Sequence, residues 1–273
     1  MNFEKTDELL GKGGFSSVYI CKKRGLDSKN LYAMKIASES GNSSKNHLII
    51  EYKILRLLFG GIGIPKVHFY GVENNRIILV EQLLGNNLSQ ELKKYKNKFP
   101  KKMFINIALQ MISRIEFLHT YGFIHCDIKP DNFALSSMKE KEKGDFTVYL
   151  IDYGLAEPYI NLKTKVHRKL KEGKGNKGTL DFCSINSHMG LSLSRRDDLE
   201  SLIYCLIYLY YGKLPWTLKN SNNEDVMNKK IEIISIGVDI KNKIFCKMLD
   251  YVTKLKFEEK PDYKHLKELI KTI

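Results

Sequence analysis

The stretch HCDIKPDNF, residues 125–133, brings together side chains that could do proton and phosphate chemistry. Asp127 is a candidate general base, since a carboxylate can accept the proton of an attacking hydroxyl. Lys129 could stabilise a phosphoryl group during transfer, and the amide oxygen of Asn132 could bind a metal ion. Pro130 lacks a backbone N–H and disfavours helical geometry at the residue before it. We therefore expect an irregular loop that gathers these polar groups at one point.

A glycine-rich segment, LGKGGFSSV, lies near the start of the chain. Glycines let the backbone approach phosphate oxygens closely, with N–H groups available to donate. Many hairpins need glycine for other reasons, so this segment alone is weak support for phosphate binding. The candidate phosphate-binding residues are Leu10, Gly11, Lys12, Gly13, Gly14, Phe15, Ser16, Ser17 and Val18.

Two further motifs could complete such a site. Lys35, in the β-rich run LYAMKIA, could hold nucleotide phosphates if the carboxylate of Glu51 fixed its ammonium group. Asp152, in IDYG, would suit Mg²⁺, which prefers hard oxygen ligands. Asp131 is better interpreted as a structural hydrogen-bonding residue. Taken alone, Lys35 and Glu51 are better interpreted as ordinary surface charges, and a bare DxG is weak support for a metal ligand.

The elements that must position these residues change character along the chain. Residues 6–80 read as short strands and one amphipathic helix that ends at Gly60 and Gly61. After Gly85 the chain is mostly helical, and a long amphipathic helix is predicted to stop at Gly122. FTVYLIDYG is predicted to be a strand that ends on Asp152. The pattern indicates an α+β protein, with a small β-rich lobe followed by a larger helical lobe.

Composition narrows the class of protein. A chain of 273 residues with 43% hydrophobic residues can build a substantial core. Its five cysteines are scattered without a CxxC pair, so we expect no zinc site, no disulfide framework and an intracellular location, cytoplasmic or nuclear. The apolar run 202–211 is too short to span a bilayer and predicts a buried helix, and we expect no membrane association.

A formal net charge of +14 favours acidic partners, although it could equally reflect lysine abundance along the whole chain. One segment, residues 163–177, has seven basic residues against Glu172. We interpret this segment as a contact for acidic substrates, with a solvated loop as the alternative. No basic motif interleaved with aromatic residues supports nucleic-acid binding, and none is predicted. The basic residues of the segment are Lys163, Lys165, Arg168, Lys169, Lys171, Lys174 and Lys177.

The order of these motifs, from glycine loop through strand lysine, helix glutamate and HxDxKxxN to DxG, resembles the signature set of eukaryotic protein kinases. The resemblance runs from about Thr6 to Ile273. The segments GGIGIP, QMISRIEFLH, CSINSH, SRRDDLESL, LPW and EKPDY look like casein kinase I. In particular, Ser184-Ile185-Asn186 stands where most kinases have Ala-Pro-Glu. IDYG and GTLDF look more like the related vaccinia-related kinases, so that sister group is the alternative assignment.

The resemblance implies one bilobal kinase domain over residues 1–273, with an N-lobe of about 1–82 and a C-lobe of 83–273. It implies a monomer that uses ATP and Mg²⁺ to phosphorylate serine or threonine in acidic or phosphorylated proteins. Asp198 would brace the loop from a buried helix. The implied site residues are Asp127, Lys129 and Thr179 for catalysis; Asn132 and Asp152 for metal; residues 10–18, Ala33, Lys35, Glu51, Gln82 and Leu83 for ATP; and Arg195, Lys229 and Lys230 for the substrate anion.

Two departures from the kinase pattern affect these expectations. Cys126 replaces the arginine that pairs with activation-loop phosphate in switched kinases, which predicts constitutive activity. A catalytically silent ATP-binding scaffold is the alternative. When LVEQLLG is aligned with the kinase pattern without gaps, Glu81 lies beside adenine. A shift of the alignment by one residue places Val80 there instead. We favour Val80, because an apolar residue is the more ordinary one at this position.

Overall fold

The computed structural model describes residues 2–25, 30–38, 42–137, 146–217, 222–236 and 240–273. These residues form two compact units. The first consists of Met1–Gly85 with Ala134–Leu155, and the second of Asn86–Phe133 with Ala156–Ile273. The chain therefore returns to the first unit for about twenty residues after the candidate loop.

A five-stranded sheet of order β1-β2-β3-β5-β4 dominates the first unit. All the neighbouring strands in this sheet run antiparallel. One face covers an apolar cluster that includes Phe3, Cys21, Met34 and Val80. The strands are β1 (Phe3–Lys12), β2 (Ser16–Lys23), β3 (Tyr32–Ala37), β4 (Val67–Glu73) and β5 (Arg76–Gln82), with helix α1 at Asn42–Leu57 and a separate pair, β7 (Phe133–Leu135) and β8 (Val148–Leu150).

The second unit is mainly helical. Its elements are α2 (Leu88–Lys94), α3 (Lys101–Thr120), β6 (Phe123–Ile124), β9 (Glu157–Pro158), α4 (Ile185–His188), α5 (Arg195–Tyr211), α6 (Asn223–Ile236), α7 (Lys243–Lys254) and α8 (Tyr263–Lys271). The buried helix predicted from the apolar run is the second half of α5, in which Leu202 and Leu206 are fully buried. No helix of the described residues is long and apolar enough to cross a membrane.

Neighbouring residues explain where helix α3 ends and where helix α5 begins. Helix α3 ends at Thr120, and Gly122 follows it with a φ of +87°, a left-handed conformation that glycine adopts without strain. Helix α5 starts after Ser194, whose backbone N–H donates to Asp197 Oδ2 at 2.7 Å, so the Asp197 side chain caps the first turn. The predicted strand before Asp152 is shorter than expected, because β8 ends at Leu150 and a 3₁₀ turn begins at Tyr153.

Candidate active site

Three polar side chains meet at the candidate loop in the second unit. Lys129 Nζ donates to Asp127 Oδ2 at 2.7 Å and to Thr179 Oγ1 at 2.9 Å. Thr179 Oγ1 in turn donates to the other carboxylate oxygen of Asp127 at 2.9 Å. Asp127 is buried, and Lys129 and Thr179 are partly exposed. The predicted catalytic group is therefore brought together as one connected cluster, with a carboxylate and a cation at the same point.

Asn132 closes the loop on itself. Its amide nitrogen donates to the backbone oxygen of Asp127 at 2.8 Å and to Asp127 Oδ2 at 3.2 Å. This use of the nitrogen leaves the amide oxygen as the atom that could bind a metal ion. Asp131, by contrast, is exposed and accepts a hydrogen bond from Ser89 at 3.0 Å, as expected for a structural residue.

The backbone around Asp127 is unusual in two places. Cys126 has a φ of +66°, which is uncommon for a residue with a side chain. Gly178 has a φ of +89°, and a Cβ there would lie 2.7 Å from the Cys126 carbonyl oxygen. Glycine at 178 is thus what lets Thr179 approach Asp127. Sequence reasoning missed Gly178, although its place directly before Thr179 in GTLDF was a usable signal.

Asp198 holds the loop from helix α5. It accepts the backbone N–H groups of His125 at 2.7 Å and Cys126 at 3.0 Å. Its carboxylate also lies 2.9 Å from His119 Nε2, while His119 Nδ1 lies 2.7 Å from the Tyr263 hydroxyl. Burial alone would raise the pKa of Asp198, but the hydrogen bonds from the His119 side chain and the His125 backbone N–H lower it below its ordinary value. An ionised Asp198 with neutral His119 as its donor follows from this geometry.

Lys35 lies among three carboxylates in the first unit. Its ammonium group is hydrogen-bonded to Glu51, with Glu81 Oε2 and Asp152 Oδ1 each 3.9 Å away. Burial opposes protonation of Lys35, yet the charge of Glu51 and the other two carboxylates raises its pKa. One lysine does not neutralise three carboxylates, so burial and this excess of negative charge raise the pKa of Glu51 and of Glu81. The predicted Lys35–Glu51 pair is present, and Glu81, which the ungapped alignment placed beside adenine, also belongs to the cluster.

Asp152 differs from its neighbours in exposure. Its side chain is 52% exposed, and its backbone has a φ of +64°. An exposed carboxylate at a backbone bend could contribute an oxygen to a hard cation such as Mg²⁺. Among the described residues, no group of three or more histidine, cysteine, aspartate or glutamate side chains could hold a metal ion. Asp152 alone would thus supply only part of the coordination shell of such an ion.

The glycine-rich segment forms the turn of the β1–β2 hairpin. Gly13 N–H donates to the Ser16 carbonyl oxygen at 2.9 Å. A Cβ at Gly11 or Gly14 would meet nothing within 4 Å, so packing within the chain does not require glycine at either position. Phe15 stacks on His47 of α1, with ring centroids 3.8 Å apart. This stack, which sequence reasoning did not anticipate, ties the turn to the helix that carries Glu51.

The alignment of LVEQLLG that places Val80 beside adenine is contradicted by the register of strands β3 and β5. Met34 pairs with Val80, and both side chains lie in the apolar cluster of the sheet. Glu81 therefore points to the opposite face, where it approaches Lys35. The residue on the Lys35 face is Glu81, not Val80, because a shift of one residue along a strand exchanges its two faces.

Gln82 and Leu83, predicted to contact adenine through their backbones, follow directly at the end of β5. The Gln82 N–H donates to the Lys66 carbonyl oxygen at 2.8 Å, so it is already occupied. Its side-chain amide nitrogen lies 3.4 Å from the Tyr149 hydroxyl. Leu83 is half-buried beyond the strand, and Ala33 pairs directly with Glu81 on the neighbouring strand.

The predicted substrate anion residues have dissimilar surroundings. Arg195 lies over the Tyr159 ring at 4.5 Å and donates to the Glu258 carbonyl oxygen at 2.7 Å. Lys229 forms an ion pair with Glu232 at 2.9 Å. Lys230 is fully buried, so its assignment to a surface anion site is wrong.

The environment of Lys230 explains its burial. Its ammonium group donates to the carbonyl oxygens of Leu180 at 2.9 Å and Cys183 at 2.7 Å, and it lies 2.9 Å from His188 Nε2. Burial lowers the pKa of Lys230 to about 8. Three internal acceptors thus replace water around the ammonium group.

The basic segment lines a groove of about 600 Å³ in the second unit. Arg168 and Lys177 are paired with Glu157 there, at 2.9 Å and 3.1 Å. The other lysines of the groove are exposed and extend beyond this ion-paired centre: Lys169, Lys171 and Lys174. A single carboxylate is thus outnumbered by cations, which makes the groove suited to an anionic partner.

Comparison with known protein families gives one match that bears on this geometry. The family model described as a protein kinase domain matches residues 4–273. The match includes the glycine-rich turn, Lys35, Glu51, the Asp127 loop and Asp152. Together with the sheet of the first unit and the helices of the second, it confirms the α+β class expected for a bilobal kinase fold.

Proposed function

The chain belongs to the protein kinase family, and on that premise we propose that it is a serine/threonine kinase of the casein kinase I type. Family membership itself implies a phosphotransferase that uses ATP, a divalent metal ion and protein substrates. The observation that carries the proposal is the hydrogen-bonded cluster of Asp127, Lys129 and Thr179. It joins a proton acceptor to a cation, as transfer of a phosphoryl group to a hydroxyl requires.

In the proposed reaction, Asp127 accepts the proton of the serine or threonine hydroxyl as that oxygen attacks the γ-phosphorus of ATP. The bond from the γ-phosphorus to the bridging oxygen breaks, and ADP leaves with that oxygen. Lys129 supplies positive charge to the transferred group, and Thr179 orients both side chains. Asn132 holds the loop closed through the Asp127 backbone. Most of the rate enhancement would come from positioning and charge neutralisation.

Lys35 would bind the phosphates of ATP, and Glu51 would keep its ammonium group in place. Residues 10–18 would lie over the phosphates, since glycines let the backbone approach phosphate oxygens closely. Asn132 and Asp152 would hold Mg²⁺, for which their oxygens are suitable ligands. The metal ion would neutralise charge on the ATP phosphates.

The casein kinase I assignment is supported by the way Ser184-Ile185-Asn186 is anchored. Ser184 Oγ and the Asn186 amide both donate to Asp197 Oδ1, at 2.8 Å and 2.9 Å. The Ile185 N–H donates to Glu200 at 2.8 Å. All three residues thus bind helix α5, which gives this segment a structural role that Ala-Pro-Glu side chains would not reproduce in the same way.

For substrates, we propose acidic or phosphorylated proteins that contact the basic groove. The matched test changes Lys169, Lys171 and Lys174 together to alanine and compares phosphorylated and unphosphorylated versions of one serine peptide. We expect kcat/KM to fall more for the phosphorylated peptide. The control triple changes the exposed Lys98, Lys101 and Lys102 to alanine. Equal losses on both peptides would contradict this substrate class.

Arg195 provides a second test of the substrate class. It was predicted to receive the substrate anion, yet it already contacts Tyr159 and Glu258. Arg195→Ala combined with Lys169→Ala is expected to weaken use of the phosphorylated peptide more than of the unphosphorylated peptide. If Lys169→Ala alone weakens use of the phosphorylated peptide as much as the double change does, Arg195 is structural and the groove alone binds the anion.

The decisive experiment for the function is phosphotransfer from radiolabelled ATP and Mg²⁺ to casein and to a serine peptide. The native chain is compared with Asp127→Asn and with Asp131→Asn, a change in the same loop at an exposed position. Incorporation that is lost only in Asp127→Asn supports the kinase and shows that Cys126 is compatible with activity. ATP binding without any phosphotransfer by the native chain would instead support the silent scaffold.

A further inference from the structure

The Glu81 side chain is buried without a full set of partners. Glu81 is 5% exposed, and its Oε1 has no hydrogen-bond partner among the residues that the structure describes. Its Oε2 lies 3.9 Å from Lys35 Nζ, beyond hydrogen-bond distance, and Lys35 is bonded to Glu51. A buried carboxylate oxygen without a donor costs free energy. A ligand with an N–H group at this point would supply the missing donor.

Strand register indicates which ligand group could reach it. Glu81 pairs with Ala33, and Leu79 pairs with Lys35, so the four side chains share one face of the sheet. Ala33, directly opposite Glu81, has a small side chain. Lys35 lies one residue pair further along the same face, toward the position proposed for the phosphates. A nucleotide with its phosphates at Lys35 would thus have its base edge at Glu81.

We propose that Glu81 is a specificity-determining residue, whose Oε1 accepts a hydrogen bond from the exocyclic amino group of a bound purine nucleotide. This proposal rests on the proposed function, in which the nucleotide is ATP. A 6-aminopurine presents an N–H donor to the carboxylate. A 6-oxopurine presents an oxygen, which the carboxylate repels. Glu81 therefore favours adenine nucleotides over hypoxanthine nucleotides.

The test measures dissociation constants of ADP and IDP, which differ at this purine position, by calorimetry without Mg²⁺ or protein substrate. Mildly alkaline pH favours the ionised carboxylate. The proteins are the native chain, Glu81→Leu, Glu81→Gln and a control at the exposed Glu4, Glu4→Leu. Thermal unfolding establishes that each variant is folded at the assay temperature.

In Glu81→Leu we expect the preference for ADP over IDP to fall about tenfold, as for loss of one hydrogen bond to a charged group. In Glu81→Gln we expect ADP binding to be kept and IDP binding to improve, because an amide can either accept or donate. The control should keep the native ratio. This pattern of dissociation constants would establish that Glu81 recognises the purine base.

An unchanged ratio in Glu81→Leu, including equal weakening of ADP and IDP through Lys35, would overturn the proposal. The readout does not depend on phosphotransfer. A chain that binds ADP but transfers no phosphate would contradict the proposed function, while the ratio would still decide the role of Glu81. Absence of all nucleotide binding by the native chain would overturn both.

Discussion

The Asp198 carboxylate accepts the backbone N–H of Cys126 at 3.0 Å, immediately before the candidate base Asp127. The same carboxylate accepts the N–H of His125 at 2.7 Å. Because Cys126 has a left-handed φ of +66°, the loop needs an external partner to hold this conformation. Asp198 supplies it from the rigid helix α5.

We therefore predict that Asp198→Ala destabilises the chain by about 3 kcal/mol or more, since the buried N–H groups of His119, His125 and Cys126 lose their acceptor, at roughly 1–3 kcal/mol each. The kcat for phosphotransfer should fall, while KM for ATP changes little, because Asp198 contacts the loop of Asp127 and not the Lys35 cluster. Urea unfolding and initial rates would measure both effects. Asp250→Ala, at an exposed position on α7, is the control. Native stability with native kcat in Asp198→Ala would contradict the bracing role.

Motifs in the sequence predicted much of the site because their residues lie close together in the chain. Asp127, Lys129 and Asn132 belong to one loop, and its internal hydrogen bonds follow from that proximity. The face on which Glu81 lies was not predictable in the same way, since strand register depends on pairing with β3. The burial of Lys230 depends on the Leu180 and Cys183 carbonyl groups, which are distant in sequence.

Lys230 is predicted to act on stability and not on substrate charge. Lys230→Met keeps the apolar stem of the side chain but leaves the Leu180 and Cys183 carbonyl oxygens without their donor. We expect a lower melting temperature, with a loss of roughly 1–3 kcal/mol for unsatisfied buried acceptors. The ratio of kcat/KM for phosphorylated and unphosphorylated peptides should stay at its native value. A selective loss on the phosphorylated peptide, with unchanged stability, would restore Lys230 to the anion site.

The raised pKa of Glu200 predicts that the stability of the folded chain depends on pH. Burial is the main reason that the pKa of Glu200 is raised from 4.5 to about 7, despite its hydrogen bonds to Tyr204 and Ile185. Between these two values the folded chain binds more protons at this site than the unfolded chain, so stability is lost as pH rises. Between these two pKa values the native chain loses about 3 kcal/mol of its free energy of unfolding.

The matched variant is Glu200→Gln, which keeps an acceptor for Tyr204 and Ile185 but does not titrate. We expect the native chain to lose free energy of unfolding relative to this variant as pH rises from 4.5 through 7. Urea unfolding at a series of pH values would measure the difference. Parallel stability curves for the two proteins would show that Glu200 contributes no such dependence.

The stack of Phe15 on His47 is predicted to hold the glycine-rich turn in place over ATP. His47→Leu removes one ring of a pair whose centroids are 3.8 Å apart, an interaction worth about 1 kcal/mol. If the turn positions the phosphates, KM for ATP should rise about fivefold with kcat largely kept. His47→Phe keeps the ring but loses the contact of His47 Nδ1 with the Ser43 carbonyl oxygen, so it separates stacking from hydrogen bonding. Native KM in His47→Phe and a raised KM in His47→Leu would assign the effect to the stack, whereas equally raised values would assign it to the Ser43 contact.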